Sequence, residues 1–334
     1  MIGKSAVRRV SLGIGLALGI LLLALAMQGV DPSALATALA STDPFLVILA
    51  LFTVVATIGA KTRRWRLLFY PSHRDLRFGR LLSGLLIGQM MNALLPARLG
   101  ELVRAYLIGE TEGQHKLFAL GTIVVEKLLD GLMLLLLLAL LFLLMPLPDW
   151  LRIPGATAGL VLAGLLAAIL LLTGRRERIL GGMDRLCQLV PALERFGLRK
   201  QLDVLADSLN SLRATDVNTR LLAWSVGIWL LAGLTNYLTL LALRIEAPLL
   251  VASLFVLAVI HLGLVVPTSP ARIGVFHYLC VLSLSVFGVE RDQALAYGFV
   301  LHFIVVLPII FAGLFFLWRE NLNLYRLARE VGDS

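Results

Sequence analysis

The sequence is short of charge, and that shortage sets its class. Of 334 residues only 15% are charged and 59% are hydrophobic, whereas soluble domains carry roughly 25% charged and 45–50% apolar residues. A single soluble core could not hide so much apolar surface, so the bilayer is the solvent. Cysteine is scarce too: Cys187 and Cys280 stand far apart in unlike surroundings, which excludes a disulfide scaffold and leaves them as free thiols. No Gly-x-x-x-x-Gly-Lys-Ser/Thr, His-Glu-x-x-His or Gly-x-Ser-x-Gly sequence occurs, and there is no dense set of His and Cys. Direct ATP drive, a cofactor, a metal centre and a catalytic site are therefore not expected, and any transport is downhill or ion-coupled.

What is present is a series of apolar runs. A spanning helix needs about 20 mostly apolar residues, and six segments qualify: 10–27, 44–60, 118–145, 154–173, 220–243 and 293–318. The segments 81–109 and 249–287 are apolar but interrupted. The basic N-terminus followed by an apolar run resembles a signal peptide, but no clear small-residue cleavage site follows, which favours a retained anchor.

The net charge of +9 reads as orientation rather than as a nucleic-acid signal. Lys and Arg concentrate in the N-terminus, in 61–80, at Lys116, in 174–220 and in the tail, whereas the opposite loops hold only Arg152, Arg244 and Arg291. The basic loops, and both termini with them, are expected on the cytoplasmic side of the inner membrane. That assignment holds only if 81–109 enters and returns on the cytoplasmic side and 249–287 on the outer side. Both are then re-entrant hairpins with tips inside the protein.

The two interrupted segments break at nearly the same words: Pro96-Ala97-Arg98-Leu99-Gly100 and Pro270-Ala271-Arg272-Ile273-Gly274. Proline removes a backbone donor and glycine permits unusual dihedrals, which suits a join between half-helices. Unit one (10–145) and unit two (154–318) each read span, span, hairpin, span. Three crossings per unit invert the second, an arrangement common in secondary transporters with a site at the repeat interface. The expected fold is thus an all-α polytopic membrane protein, one domain over 1–334, with six spans and two re-entrant hairpins. An amphipathic cytoplasmic linker is expected over 174–219, and eight simple spans with kinked helices are the alternative.

Charges inside a membrane usually face a partner or a wet cavity. Hairpin one carries Asn92, Arg98, Glu101 and Arg104; the span 118–145 carries Glu126, Lys127 and Asp130; hairpin two carries His261, Arg272 and His277; the last span carries His302. Spacing on a helix suggests that Glu101 pairs with Arg104 and that Glu126, Lys127 and Asp130 neutralise one another. Arg98 and Arg272, at the breaks, are candidates to grip a phosphate with a forked donor set, with Asn92, Glu101 and Arg104 beside them. Glu126, Lys127, Asp130 and His302 are candidates for gating or ion coupling, with a purely structural network as the rival reading. The two remaining histidines suit packing. The tryptophans, Trp65 among them, suit an aromatic belt at span ends.

From Asn92 to Arg104, with Glu126-Lys127-Leu128-Leu129-Asp130 and Pro267 to Val275, the chain resembles the flippase-like membrane domain family, whose relatives form the membrane part of lysylphosphatidylglycerol synthases. The resemblance implies lipid movement between leaflets, and the chain's end at Ser334 suggests a stand-alone translocase without the synthase. Membrane lipids are the expected partners, and a separate lipid-modifying enzyme is a compatible one; nucleic acid is not expected. A non-transporting membrane partner of such an enzyme and an intramembrane lipid hydrolase or transferase remain as alternatives.

Overall fold

The computed structural model describes residues 4–70, 76–94, 99–174, 204, 207–208, 215–264, 270–320 and 322. Eleven α-helices cover most of them: α1 Lys4–Met27, α2 Pro32–Ala40, α3 Pro44–Leu67, α4 Phe78–Leu94, α5 Gly100–Glu112, α6 Lys116–Leu144, α7 Asp149–Gly174, α8 Thr215–Ala242, α9 Leu249–Gly263, α10 Val275–Ser285 and α11 Arg291–Arg319. No strand occurs among the described residues. Among the described residues four helices (α3, α6, α8 and α11) are long and apolar enough to cross a membrane, or up to five if α1 and α2, bent by 89°, form one span. This is a multi-pass helical membrane protein.

Local chemistry sets several boundaries. Asp31 and Asp43 each stand before a proline in the first turn of a helix, and their carboxylates accept the N–H of Ser33 at 2.9 Å and of Phe45 at 2.9 Å. An acidic N-cap followed by proline satisfies a donor that the helix cannot and pre-sets the first dihedral. This is why α2 forms inside 28–43, expected to be a plain outer loop. At the other end of α5, Gly113 adopts φ 67°, the left-handed stop that glycine takes without penalty.

The legs of the first hairpin are antiparallel and very close. A Cβ on Gly84 would meet Ile108, one on Gly88 would meet Arg104 and the Gly100 carbonyl, and one on Gly100 would meet the Gly88 carbonyl and Asn92. As one leg ascends, the matched residue on the other descends. Gly100 has no side-chain cap of its own; its N–H donates to Asn92 Oδ1 at 2.7 Å across the hairpin. In the second hairpin α9 packs on α10, with Gly263 against Leu279.

The same arithmetic applies to α3 and α8. Asp43 donates its backbone N–H to Ala242, Thr53 bonds Thr235 between hydroxyls at 2.7 Å, and Arg64 donates to Ser225 at 3.1 Å. Numbers rise along α3 and fall along α8, so these helices run antiparallel in contact over their whole length. Around them α4 packs on α11 and α6 packs on α9, α5 on α6 and α10 on α11, α3 on α4 and α8 on α9. These six contacts fall into three matched pairs between the two halves, whereas those of α1 with α10 and of α2 with α11 have no such counterpart.

Three expectations shift. Lys61, Arg63, Arg64 and Arg66 are not loop residues: α3 carries the chain past them to Leu67, and Arg64 is fully buried. Trp65 is no belt residue either, since it is fully buried. The linker 174–219 lies largely outside the described residues, and its last five are already the first turn of α8. Cys280 is a buried free thiol; Cys187 lies outside the described residues.

Candidate functional site

Three membrane helices and the first hairpin converge on a charged cluster. Arg104 of α5 grips Glu126 of α6 with both arms of its guanidinium, Nη1 donating to Oε1 at 3.1 Å and Nη2 to Oε2 at 2.8 Å, and both side chains are buried. Such forked, charge-assisted pairs are among the strongest polar contacts. The guanidinium lies 4.0 Å above the Trp65 ring, a cation–π arrangement favoured when desolvated. Trp65 is itself held by an Nε1–H bond to Thr122 Oγ1 at 3.0 Å.

Two further pairs complete the cluster. Arg64 Nη2 stands 2.7 Å from Asp130 Oδ1, and Lys127 Nζ stands 3.6 Å from Glu101 Oε1. The pairing expected within helices therefore does not occur: Glu101 does not take Arg104, and Glu126, Lys127 and Asp130 do not neutralise one another. Each charge reaches to another element instead. Helical neighbours three or four apart interact only across a wet surface at a few tenths of a kcal/mol, whereas a buried carboxylate needs a fully directed partner.

Burial grades across the cluster. Arg64 is sealed, Asp130 and Glu101 keep 27% and 20% of their side-chain accessibility, and Lys127 keeps 53%. One buried oxygen of Glu101, and the Nε atoms of Arg64 and Arg104, have no hydrogen-bond partner among the described residues. The sealed side tethers α3, α5, α6 and α8 together; the other side leaves Asp130, Glu101 and Lys127 partly accessible.

The second hairpin organises its turn without carboxylates. Pro270–Arg272 form a 3-10 turn in which Ala271 and Arg272 take φ 53° and 60°, followed by Gly274 at 89°. Left-handed conformations at non-glycine residues are strained and need support. His302 of α11 supplies it, its Nε2–H reaching the Ala271 carbonyl at 2.7 Å. His277 Nδ1 accepts the Gly274 N–H at 3.4 Å, its Nε2 has no partner among the described residues, and its ring lies 5.1 Å from that of His302. The turn packs on α1 and α4, so it sits beside the first hairpin. Gly274 meets the backbone of Gly19 there, leaving no space for a side chain. His261, at the end of α9, stays exposed and stacks 4.8 Å from Trp229.

Of the residues singled out in sequence, Glu101, Arg104, Glu126, Lys127 and Asp130 come together, while Asn92 holds the Gly100 N–H across the hairpin; Arg272 and His302 meet at the other turn. Arg98 lies outside the described residues. Arg64 was missed because it was counted among loop cations. The available signal was its phase: Thr53, Thr57 and Arg64 fall on one face of a helix that also includes Lys61. Among the described residues no group of three or more His, Cys, Asp or Glu side chains is placed to hold a metal ion.

A stretch of 123 residues, 37% of the chain, is 31% identical to the glycosyltransferase AglD of Haloferax volcanii, and that stretch amounts to only 20% of AglD. The lysylphosphatidylglycerol synthase TM region matches over residues 12–313, and the chain belongs to that family.

Proposed function

We propose that the protein is a lipid translocase of the inner membrane, moving a polar, phosphate-bearing headgroup between leaflets through a cavity at the interface of two inverted repeats. The observation that carries this reading is the antiparallel α3–α8 pair with a cross-helix ionic cluster at one end. Symmetry-related spans of two inverted units run antiparallel, a pair in contact lies at the pseudo-two-fold axis, and a midplane site belongs beside that axis. The swapped contacts of α4 with α11 and α6 with α9 support the same symmetry. This layout and the basic loops support a reading with six spans, two re-entrant hairpins and cytoplasmic termini.

Within it, Arg98 and Arg272 bind the headgroup phosphate, with Asn92, Glu101 and Arg104 shaping the first hairpin around it. Glu126, Lys127, Asp130 and His302 tie that space to the helices that must move. The tails remain in lipid. A second reading, a non-transporting membrane partner of a sugar- or aminoacyl-transferring enzyme, draws on the partial match to AglD. Purified protein in liposomes, with headgroup-labelled lipids scored for leaflet exchange, separates the two: exchange that falls in Arg272→Ala supports translocation, and no exchange for any anionic, zwitterionic, aminoacylated or polyprenyl lipid removes it.

The layout has its own test. In a background with Cys187 and Cys280 replaced, single cysteines at Gln114 and Glu290 should label from opposite sides of the membrane. Labelling of both from one side would sink the two-hairpin arrangement.

A further inference from the structure

The ion pairs of the cluster join Arg104 to Glu126, Arg64 to Asp130 and Lys127 to Glu101, and they leave one neighbouring cation over. Lys61 stands three residues before Arg64 on the same face of α3, half-buried and inside the candidate span Pro44–Leu68. It makes no ion pair or side-chain hydrogen bond among the described residues. Asp130, Lys127, Arg64 and Glu126 are the charges that act on it. α9 packs on both α6 and α8, and His261 at its end lies against Trp229. Four cations (Lys61, Arg64, Arg104, Lys127) face three carboxylates (Glu101, Glu126, Asp130). Asp130 cannot serve Lys61 in full, because its carboxylate is already held by buried Arg64. An ammonium left uncompensated in a membrane span is costly, and three rotatable donors suit it to a phosphate oxygen.

We propose that Lys61 is an anion-binding residue whose ammonium receives the phosphate of an anionic lipid headgroup at the junction of α3 and α6, one turn along α3 from the Arg64–Asp130 ion pair. This rests on the translocase reading for its choice of lipid, but its test does not depend on transport. A free phosphate ion offers the same oxygens, so the two sources are compared directly.

Thermal unfolding of the protein in neutral detergent is followed for the wild type, Lys61→Gln and Lys61→Arg, each alone and with phosphatidylglycerol, diacylglycerol or inorganic phosphate. Phosphatidylglycerol should raise the wild-type midpoint and diacylglycerol should not. The rise should be lost in K61Q and kept in K61R. Without lipid, K61Q should unfold no earlier than the wild type, because it removes an uncompensated charge. A lower lipid-free midpoint with an undiminished phosphatidylglycerol shift makes Lys61 a structural cation and overturns the proposal. An equal shift from inorganic phosphate assigns the site to a soluble anion and overturns its lipid part. Leaflet exchange run in parallel separates the two readings: a Lys61-dependent shift without exchange keeps this site and removes translocation, whereas exchange with unchanged lipid dependence in K61Q keeps translocation and removes Lys61 from it.

Discussion

The first hairpin is anchored by ions and the second by histidines, although both turn on a Pro-Ala-Arg-x-Gly sequence. In the first, Arg104 and Glu101 reach outward to α6, and the legs touch backbone to backbone at Gly88 and Gly100. In the second, the support comes inward to the turn itself: His302 holds the Ala271 carbonyl, and Gly274 rests on Gly19. The difference follows from the helices each hairpin faces. Both hairpins touch both helices, but the second leg of the first, α5, packs on α6, which carries Glu126, Lys127 and Asp130, whereas the second leg of the other, α10, packs on α11, which carries His302. A hairpin locked by buried ions resists movement, and one held by single hydrogen bonds yields more readily.

The largest effect should come from opening the buried ion pair. Glu126→Gln or Arg104→Ala leaves a buried charge without its partner, which costs about 3–5 kcal/mol, read as a drop in thermal stability in detergent. Replacing both together with Leu and Met should recover most of that loss. A single variant with wild-type stability would mean the first hairpin is not ion-locked. Next come the two close approaches. Gly100→Ala and Gly274→Ala each drive a methyl into backbone, at roughly 1–3 kcal/mol, and Gly274→Ala adds the strain of φ 89°. If either is tolerated, the two turns are looser than they look, and the comparison fails at that end.

Smaller still is His302→Phe, which removes one hydrogen bond worth about 1 kcal/mol while keeping the ring contacts with Phe276 and His277. It should sharpen the contrast by raising hydrogen exchange at the Pro270–Arg272 turn and leaving α4–α5 unchanged. The least change in stability is expected for Lys127→Ala. Its ion pair at 3.6 Å is half open to solvent, and exposed pairs contribute roughly 0–1 kcal/mol. Exchange of lipid should fall while the unfolding midpoint stays put; a large loss of stability would show Lys127 to be part of the lock.

How much was legible in advance differs between these regions. The helical class, both breaks and five of the six paired charges, Arg64 being the exception, followed from apolar periodicity, from proline and glycine, and from the cost of charge in lipid. The partners did not. Sequence spacing paired Glu101 with Arg104 because only neighbours on one helix are visible in a chain, yet α5 turns Arg104 toward α6. Arg64 was hidden for a related reason: a run of Lys and Arg after an apolar segment marks the end of a span, and nothing local says that the helix continues one face inward.

The sequence alone determined that this chain lives in a bilayer, which of its loops are basic, and where two half-helix breaks must lie. Those properties depend on composition and on residues close in the chain. Only the tertiary structure decided which carboxylate answers which cation, that α3 and α8 lie antiparallel, and that Lys61 is the charge left over. In a low-dielectric interior each ion must find a partner within a few ångströms, and that distance is set by the packing of helices far apart in sequence.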